Sequence, residues 1–224
     1  MKRLVIAALA GLLTAAMAQR FSVEGSAGFY TGFSGQLAVV AEDLPGLPLG
    51  LRLGVGFAST DALDDNYDMG GGTKWGTAKK NLELSEWGQN VTVSLDVLYK
   101  LTQVQGISVA PYLGVRYNMF SGGSTDPKNK VSGMKSVTFS SNSFGFGVGV
   151  RAAYPVMPNL SLVGDVGVDY YLQACIQGTL VDDAGNSTSI TVCPSDSNYK
   201  SANEFVTQPD GLVLKLRLGA AYRF

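Results

Sequence analysis

The feature that most constrains the fold is a strict alternation of apolar and polar residues, clearest in the segment LVLKLRLGAAYRF at residues 212–224. Leucines at the even positions from 212 to 218 lie on one face of this segment, and Lys215 and Arg217 lie on the other. A period of two residues is that of a β-strand, because successive side chains point to opposite faces of a sheet. The segment is therefore predicted to be a strand with one apolar and one charged face.

Similar alternation recurs along the chain and predicts an all-β fold. Each segment has roughly the 9 to 11 residues that a tilted transmembrane β-strand needs, and no segment after the N-terminal region is a continuous apolar run of about 20 residues, the length of a transmembrane helix. The 28 glycines and the 10% of aromatic residues are also typical of all-β proteins. The eight predicted strands cover residues 20–30, 35–42, 49–58, 89–101, 107–120, 142–154, 160–171 and 212–224.

The N-terminal region has the organisation of an export signal. A basic pair at residues 2–3 precedes an apolar run at 4–13, and the small-residue sequence AMA at 16–18 is typical of a cleavage site. The apolar run is too short to cross a bilayer as a helix. We therefore predict a signal peptide at residues 1–18 and one mature domain at residues 19–224.

The connections between the predicted strands alternate in length. Short connections contain the Pro, Gly and Asn residues that interrupt strands. The short connections cover residues 43–48, 102–106 and 155–159, and the long ones cover 59–88, 121–141 and 172–211. Short periplasmic turns and long outer loops are typical of transmembrane β-barrels. The sequence therefore predicts an eight-stranded antiparallel barrel in the outer membrane of a bacterial cell, with both termini periplasmic and with outer loops partly folded as strand extensions.

A membrane barrel places the charged face of each strand inside. An arginine that faces the middle of the lipid costs roughly 2 to 4 kcal/mol, and eight strands leave an interior that side chains can fill. Buried charges need partners, so we predict salt bridges that plug the lumen, with a narrow gated ion path as the alternative. This predicted lumen network consists of Glu24, Arg52, Asp96, Arg116, Arg151, Asp165, Asp169, Lys215 and Arg217.

The last long connection carries both cysteines. Because the chain is predicted to be exported, we expect Cys175 and Cys193 to form a disulfide, which would stabilise this loop by about 3 kcal/mol in the chain-entropy account. The segment STSITV at 187–192 follows the turn sequence DDAGN at 182–186 and predicts a hairpin, with which KSVTF at 135–139 is placed to pair. The outer strands are thus expected to continue into a stiff extracellular sheet.

The first long connection is acidic and leaves two interpretations open. Asp64, Asn66 and Asp68 stand at alternate positions, with Asp61 nearby, and this spacing opens the calcium loop of EF-hands. The match is partial, because Met69 occupies the position of the invariant glycine and no glutamate follows at the required distance. The loop is either a site for a divalent cation such as Ca²⁺ or a solvated acidic segment. No other cofactor is indicated.

The end of the last strand carries a family resemblance. It reads GAAYRF, with Tyr222 two residues before Phe224, and it completes an eight-strand pattern behind a signal peptide. In these features the chain resembles the small outer-membrane barrels of the OmpA/OmpX type. The resemblance implies that the barrel assembly machinery recognises Tyr222 and Phe224 as an assembly signal. Outer-membrane lipid and this machinery are the partners expected.

Composition limits the functions to consider. Without its signal peptide the chain has 15 basic and 18 acidic residues, a net charge of −3, which gives no support for nucleic-acid binding. It has no histidine, the usual base of nucleophilic catalysis, so we expect no enzyme. We expect a monomeric structural protein whose plugged barrel anchors rigid loops for envelope stability, adhesion or contact with an unidentified ligand. A small pore or transporter is the alternative, and a soluble lipocalin-like carrier is a third class.

Overall fold

A computed structural model describes residues 20–42, 44, 46–101 and 106–224. The predicted signal peptide lies outside the described residues. In the described part of the chain, no helix has the length and apolar character needed to cross a membrane. The strands are β1 (Phe21–Tyr30), β2 (Phe33–Ala41), β3 (Leu49–Thr60), β4 (Ser85–Tyr99), β5 (Ser108–Thr125), β6 (Ser136–Met157), β7 (Leu160–Tyr171), β8 (Ile176–Val181), β9 (Ser187–Val192) and β10 (Gly211–Arg223), and the helices are α1 (Trp75–Leu82) and α2 (Tyr199–Phe205).

Eight of these strands close into an antiparallel barrel. Their order is β5-β4-β3-β2-β1-β10-β7-β6, and pairing between β5 and β6 completes the circle. Closure pairs the backbone groups of each strand on both sides, which a lipid environment requires because no water is available there. The predicted eight-stranded barrel is confirmed. Strands β4, β5 and β6 are longer than predicted, and β5 and β6 stay paired as far as Thr125 and Ser136.

The side chains of β10 show which face of the barrel is apolar. The leucines at 212, 214, 216 and 218 are 58–74% exposed, whereas Lys215 and Arg217 are each 4% exposed. A soluble protein would place these residues the other way round. The outward leucines belong to a broad apolar outer surface of the kind that contacts lipid in transmembrane barrels.

Above the barrel, β6 exchanges one partner for another. Its pairing with β7 ends at Gly145 opposite Tyr171, and its pairing with β8 starts at Ser141 opposite Ile176. Strands β8 and β9 form the predicted hairpin, and residues 136–141 of β6 pair with its first strand. A disulfide joins Cys175, just before β8, to Cys193, just after β9, so the predicted bridge and the predicted strand extension are both confirmed.

The long connections fold together into a structured cap (residues 61–84, 126–135 and 172–210). Leu63 forms an isolated β-bridge with Val206, and the Asp64 amide donates to the Phe205 carbonyl at 2.8 Å, so segments far apart in sequence are joined. The cap and the adjoining strand ends share an apolar core. The buried residues of this core are Ala62, Leu63, Trp75, Leu84, Phe120, Ile176, Val192, Tyr199 and Val206.

Candidate functional site

The barrel interior holds a chain of ion pairs that begins at Arg52 on β3. The Nε of Arg52 donates to Asp96 Oδ2 at 2.9 Å, and its Nη1 donates to Asp165 Oδ2 on β7. Asp96 lies on β4, directly opposite Arg52 in the strand register. The pairing therefore joins neighbouring strands on one wall and connects them across the lumen to β7.

A second arginine extends this chain. The Nη1 of Arg116, on β5, donates to Asp96 Oδ1 at 2.6 Å, and its Nε lies 3.0 Å from Asp169 Oδ2 on β7. Asp96 therefore accepts from Arg52 and Arg116 together. All of these side chains are buried, so each charge depends on its partners, because an unpaired charge in such a place costs several kcal/mol.

Lys215 on β10 completes a closed ring of alternating charges. Its Nζ lies 3.8 Å from Asp165 Oδ1 and 3.6 Å from Asp169 Oδ1. Three cations and three carboxylates thus follow one another around the barrel axis. We call this set the lumen ring; it consists of Arg52, Asp96, Arg116, Asp169, Lys215 and Asp165.

The three remaining residues of the predicted network lie outside this ring. Arg151 on β6 donates from its Nε to Glu24 Oε1 on β1 at 2.6 Å, a separate pair nearer the turn end. Arg217 on β10 donates to the Ser34 hydroxyl at 3.3 Å and to Gln36 Oε1. Within the described residues Arg217 has no carboxylate partner. The structure thus brings eight of the nine predicted residues into ion pairs and places the ninth in a neutral polar site.

Several residues that the sequence analysis did not name complete this interior. The Tyr112 hydroxyl donates to Asp165 Oδ1 at 2.8 Å, and its ring lies 4.5 Å from the Arg52 guanidinium carbon. The Tyr30 ring lies 5.0 Å from the guanidinium carbon of Arg217, and the Tyr30 and Tyr171 hydroxyls contact each other. The alternation itself was the available signal, because Tyr112 has the same inward parity in β5 as Arg116.

Inward glycines provide the space that the long charged side chains occupy. A Cβ atom at Gly147 would collide with Asp169 Oδ1 and with Arg116 Nη2. At Gly149 it would collide with the Tyr112 hydroxyl oxygen. The glycines of the GFGVG segment of β6 therefore leave room for the lumen ring, because a larger residue there would displace its side chains.

Little empty space remains around the lumen ring. Two cavities of about 10 Å³ each adjoin it, one beside Arg116 and Lys215 and the other beside Arg52 and Arg217. A volume of about 10 to 15 Å³ holds a single water molecule. A larger cavity of about 320 Å³ lies at the turn end, with Arg151 in its wall. The described part of the lumen is therefore filled around its charged centre.

A second layer closes the lumen beneath the cap. Tyr30, Ala58, Tyr171 and Val213 form a small buried cluster at the loop end of the barrel. The core of the cap is formed by the connections at the same end, so a packed cluster and a folded cap both lie on the loop side of the lumen ring. Two separate packed layers therefore follow the ion pairs toward the loop end.

Glu86, which the sequence analysis did not single out, organises the first long connection. Its Oε1 accepts from the amides of Ala62 at 2.9 Å and Leu63 at 2.7 Å, and its Oε2 accepts from Lys79 Nζ at 2.6 Å. Lys79 also pairs with Asp65 at 2.6 Å. Partial burial lowers the pKa of Lys79, but the hydrogen bonds to Asp65 and Glu86 raise it by more. The net effect is a raised pKa of Lys79. This cluster fixes α1 to the start of β4.

The acidic residues proposed as cation ligands are not brought together. Asp64 Oδ1 accepts from the Asn66 amide and Asp68 Oδ1 accepts from the Gly70 amide, each at 2.8 Å, so both carboxylates hold local turns. At Asp61, the backbone carbonyl accepts from the Thr207 hydroxyl. In the described part of the chain, no three acidic, cysteine or histidine residues are grouped to hold a metal ion. In this conformation the carboxylates of Asp64 and Asp68 hold local turns, and binding of a divalent cation by the loop stays a prediction.

The residues of the expected assembly signal lie on the outside of the barrel at its turn end. Tyr222 and Phe224 are both exposed, and their ring centroids are 5.1 Å apart in an edge-to-face arrangement. Their side chains are therefore open to contact from outside the barrel. Recognition by the assembly machinery stays a prediction.

Comparison with known proteins gives a family match and a strong likeness to a solved structure. The family model of the autotransporter β-domain matches residues 6–224. The crystal structure of a major outer membrane protein from Thermus thermophilus has 66% sequence identity and a TM-score of 0.87, and the match covers 92% of this chain and all of that one. A search of curated proteins gives no significant match.

Two other solved structures are more distant. CarO from Acinetobacter baumannii has 15% identity and a TM-score of 0.41, with 91% of this chain and 97% of that chain covered. The outer membrane protease OmpT from Escherichia coli has 9% identity and a TM-score of 0.44, with 92% and 97% covered. Scores this low support no comparison of function. None of the three structures confirms the narrower OmpA/OmpX resemblance. The family match, the strong likeness to the Thermus barrel and the closed sheet with its apolar exterior together show that the chain belongs to the autotransporter β-domain family and is an eight-stranded outer-membrane β-barrel.

Proposed function

We propose that this protein is a structural outer-membrane protein, in which a sealed barrel anchors a folded cap on the cell surface. The observation that carries the proposal is the lumen ring, whose six charges neutralise one another in an interior with little room for water. A barrel filled in this way supports the cap above it and lets no solute through. The similar Thermus protein is described as a major outer membrane protein, which agrees with an abundant structural role.

We propose further that the cap faces the outside and that both termini face the periplasm. The support is the difference between the two ends of the barrel. The described turn between β6 and β7 contains two residues, 158 and 159, whereas the opposite end carries the whole cap. Short turns are periplasmic in barrels of this class. The protein in this proposal is a monomer surrounded by outer-membrane lipid and inserted by the barrel assembly machinery.

The proposal includes no catalytic activity and no resident cofactor. Its support is chemical: the chain has no histidine, and the lumen carboxylates Asp165 and Asp169 are neutralised by Arg52, Arg116 and Lys215. A carboxylate held in this way is poorly placed to act as a base. The cap is the part left free to contact a partner, for adhesion or for stabilising the envelope.

Single-channel recording in planar bilayers tests the proposal. We expect purified monomer, inserted in the absence of any ligand, to give no steady current above that of the bare membrane. A large porin inserted in the same bilayers serves as the positive control. A reproducible steady conductance from the wild-type monomer would contradict the sealed barrel and would support a small pore instead.

A further inference from the structure

A cleft opens on the outer face of the barrel where β7 separates from β6. Residues 142–144 of β6 lie between its last pair with β7 and its first pair with β8, and they face the connecting segment 172–175 instead of a strand. The cleft at this fork has a volume of about 420 Å³. Cys175 lies in its wall and is tied to Cys193, so the shape of the cleft is held by two strands and a covalent bridge.

The upper wall of the cleft is polar and uncharged. Its side chains are those of Ser140, Asn142, Gln173 and Gln177. Within the described residues, none of these four side chains has a hydrogen-bond partner in the protein. No charged residue is among those that line the cleft. Amides offer both donors and acceptors, and hydroxyls do the same, so the wall presents unused hydrogen-bonding groups of both kinds.

The lower wall is apolar and continues into the lipid-facing surface. Phe144 is 64% exposed and Leu172 is 46% exposed. The ring of Phe144 packs against that of Tyr117, with centroids 4.9 Å apart, and aromatic residues of this kind mark the boundary of the membrane in barrels. Below Phe144, the outward positions of β6 are apolar as far as Val150. The cleft therefore spans the boundary, with its apolar wall toward the acyl chains and its polar wall toward the aqueous side.

From this arrangement we infer that the cleft binds the uncharged, hydroxyl-rich head group of a membrane glycolipid. Sugar hydroxyls each donate and accept, which matches amides that do both, and the exposed ring of Phe144 offers an apolar face to a sugar ring. A phosphate head group would find no cation in this cleft to pair with. The apolar lower wall distinguishes a lipid from a soluble saccharide, because only the lipid has acyl chains to place there.

Native mass spectrometry of the full mature chain tests this inference. The protein is released from a detergent without sugar groups, after incubation with monoglucosyl diacylglycerol, with phosphatidylglycerol or with free maltose. The test variant is Gln173→Ala with Gln177→Ala, and both side chains are exposed, so the fold is expected to persist. The control variant is Gln89→Ala, on the outer face of β4. Gln89 lies in line with Gln177 across the sheet, because successive register partners run from Gln89 through Ser121 and Ser140 to Gln177.

We expect wild type and the Gln89→Ala control to retain one glucosyl lipid. Retention by the double variant should fall about tenfold, as expected for two lost hydrogen bonds. Equal retention of phosphatidylglycerol, or an unchanged double variant, would overturn the inference. Binding of maltose as tight as that of the glycolipid would overturn the lipid assignment as well. Because the cleft lies outside the lumen, the conductance experiment has no bearing on this result.

Discussion

At the scale of single residues, the interior depends on charges that share partners. Asp96 accepts from Arg52 through one oxygen and from Arg116 through the other. This carboxylate lies between the two guanidinium groups and is the counter-charge that they share. The ring is therefore not a set of independent pairs, and the loss of one member affects its neighbours on both sides.

Replacing Asp96 by Asn should destabilise the barrel strongly. The change leaves Arg52 and Arg116 close together without their common counter-charge, and breaking a buried pair in this way costs about 3 to 5 kcal/mol. The measurement is the midpoint of unfolding in detergent, followed by heat-modifiable gel mobility. The exposed Asp68→Asn variant is the control and should leave the midpoint unchanged. Adding Arg116→Met to Asp96→Asn should recover part of the lost stability. A double variant less stable than the single Asp96→Asn variant would contradict the shared role of Asp96.

A matched pair of glycines tests whether the lumen is filled. Gly147→Ala places a methyl group against Arg116 and Asp169, whereas at Gly164 the nearest atom to an added Cβ is Leu218 Cδ2, at 3.5 Å on the outer face. We expect Gly147→Ala to cost about 1 to 3 kcal/mol, the usual range for overpacking. Gly164→Ala should be close to neutral by the same unfolding measurement. Equal effects of the two changes on the free energy of unfolding would show that the lumen is not filled at Gly147.

At the scale of elements, local patterns were predictable and long-range packing was not. Alternation with a period of two is a local property, so the barrel strands and the β8–β9 hairpin follow from the sequence. Helix α1 does not, because WGTAKKNL contains Gly76, Thr77 and Asn81, which are weak helix formers. Its position is set instead by Lys79 and Glu86, residues that only the fold brings together.

The disulfide tests how far the hairpin depends on covalent closure. Cys175 and Cys193 bracket β8 and β9, and β9 is an exposed edge strand whose pairing is to β8 alone within the described sheet. Reduction, or replacement of both cysteines by Ala, should weaken the cap by about 3 kcal/mol if closure entropy dominates. Limited proteolysis should then cut within residues 172–210 while the barrel strands stay protected. Rapid cutting of this region in the oxidised protein would show that the cap is not stiff.

At the scale of the whole molecule, the protein has two interiors of opposite chemistry. The barrel is filled by ion pairs and glycines, and the cap is filled by Leu63, Trp75 and other apolar side chains. The layer of Tyr30 and Tyr171 lies between them. The sequence pattern predicts the first interior because seven of the eight barrel strands carry charged residues at inward positions, and β2 carries only uncharged ones there. It does not predict the second, because Val206 comes from a different connection than Leu63 and Trp75, and the three residues show no shared period.

The two interiors should respond separately to a core substitution. Leu63 is fully buried in the cap, and Leu63→Ala is expected to cost about 2 to 5 kcal/mol there. Among the described residues, Phe120 of β5 is the one buried residue of the cap core that belongs to a barrel strand. The loss should therefore not reach the lumen ring. On heating, residues 61–84 of the variant should become sensitive to protease at a lower temperature than in wild type. The temperature midpoint of the barrel's shift in gel mobility should stay the same. The control is Leu180→Ala, at an exposed leucine of the cap. If both midpoints fall together in the Leu63→Ala variant, cap and barrel unfold as one unit.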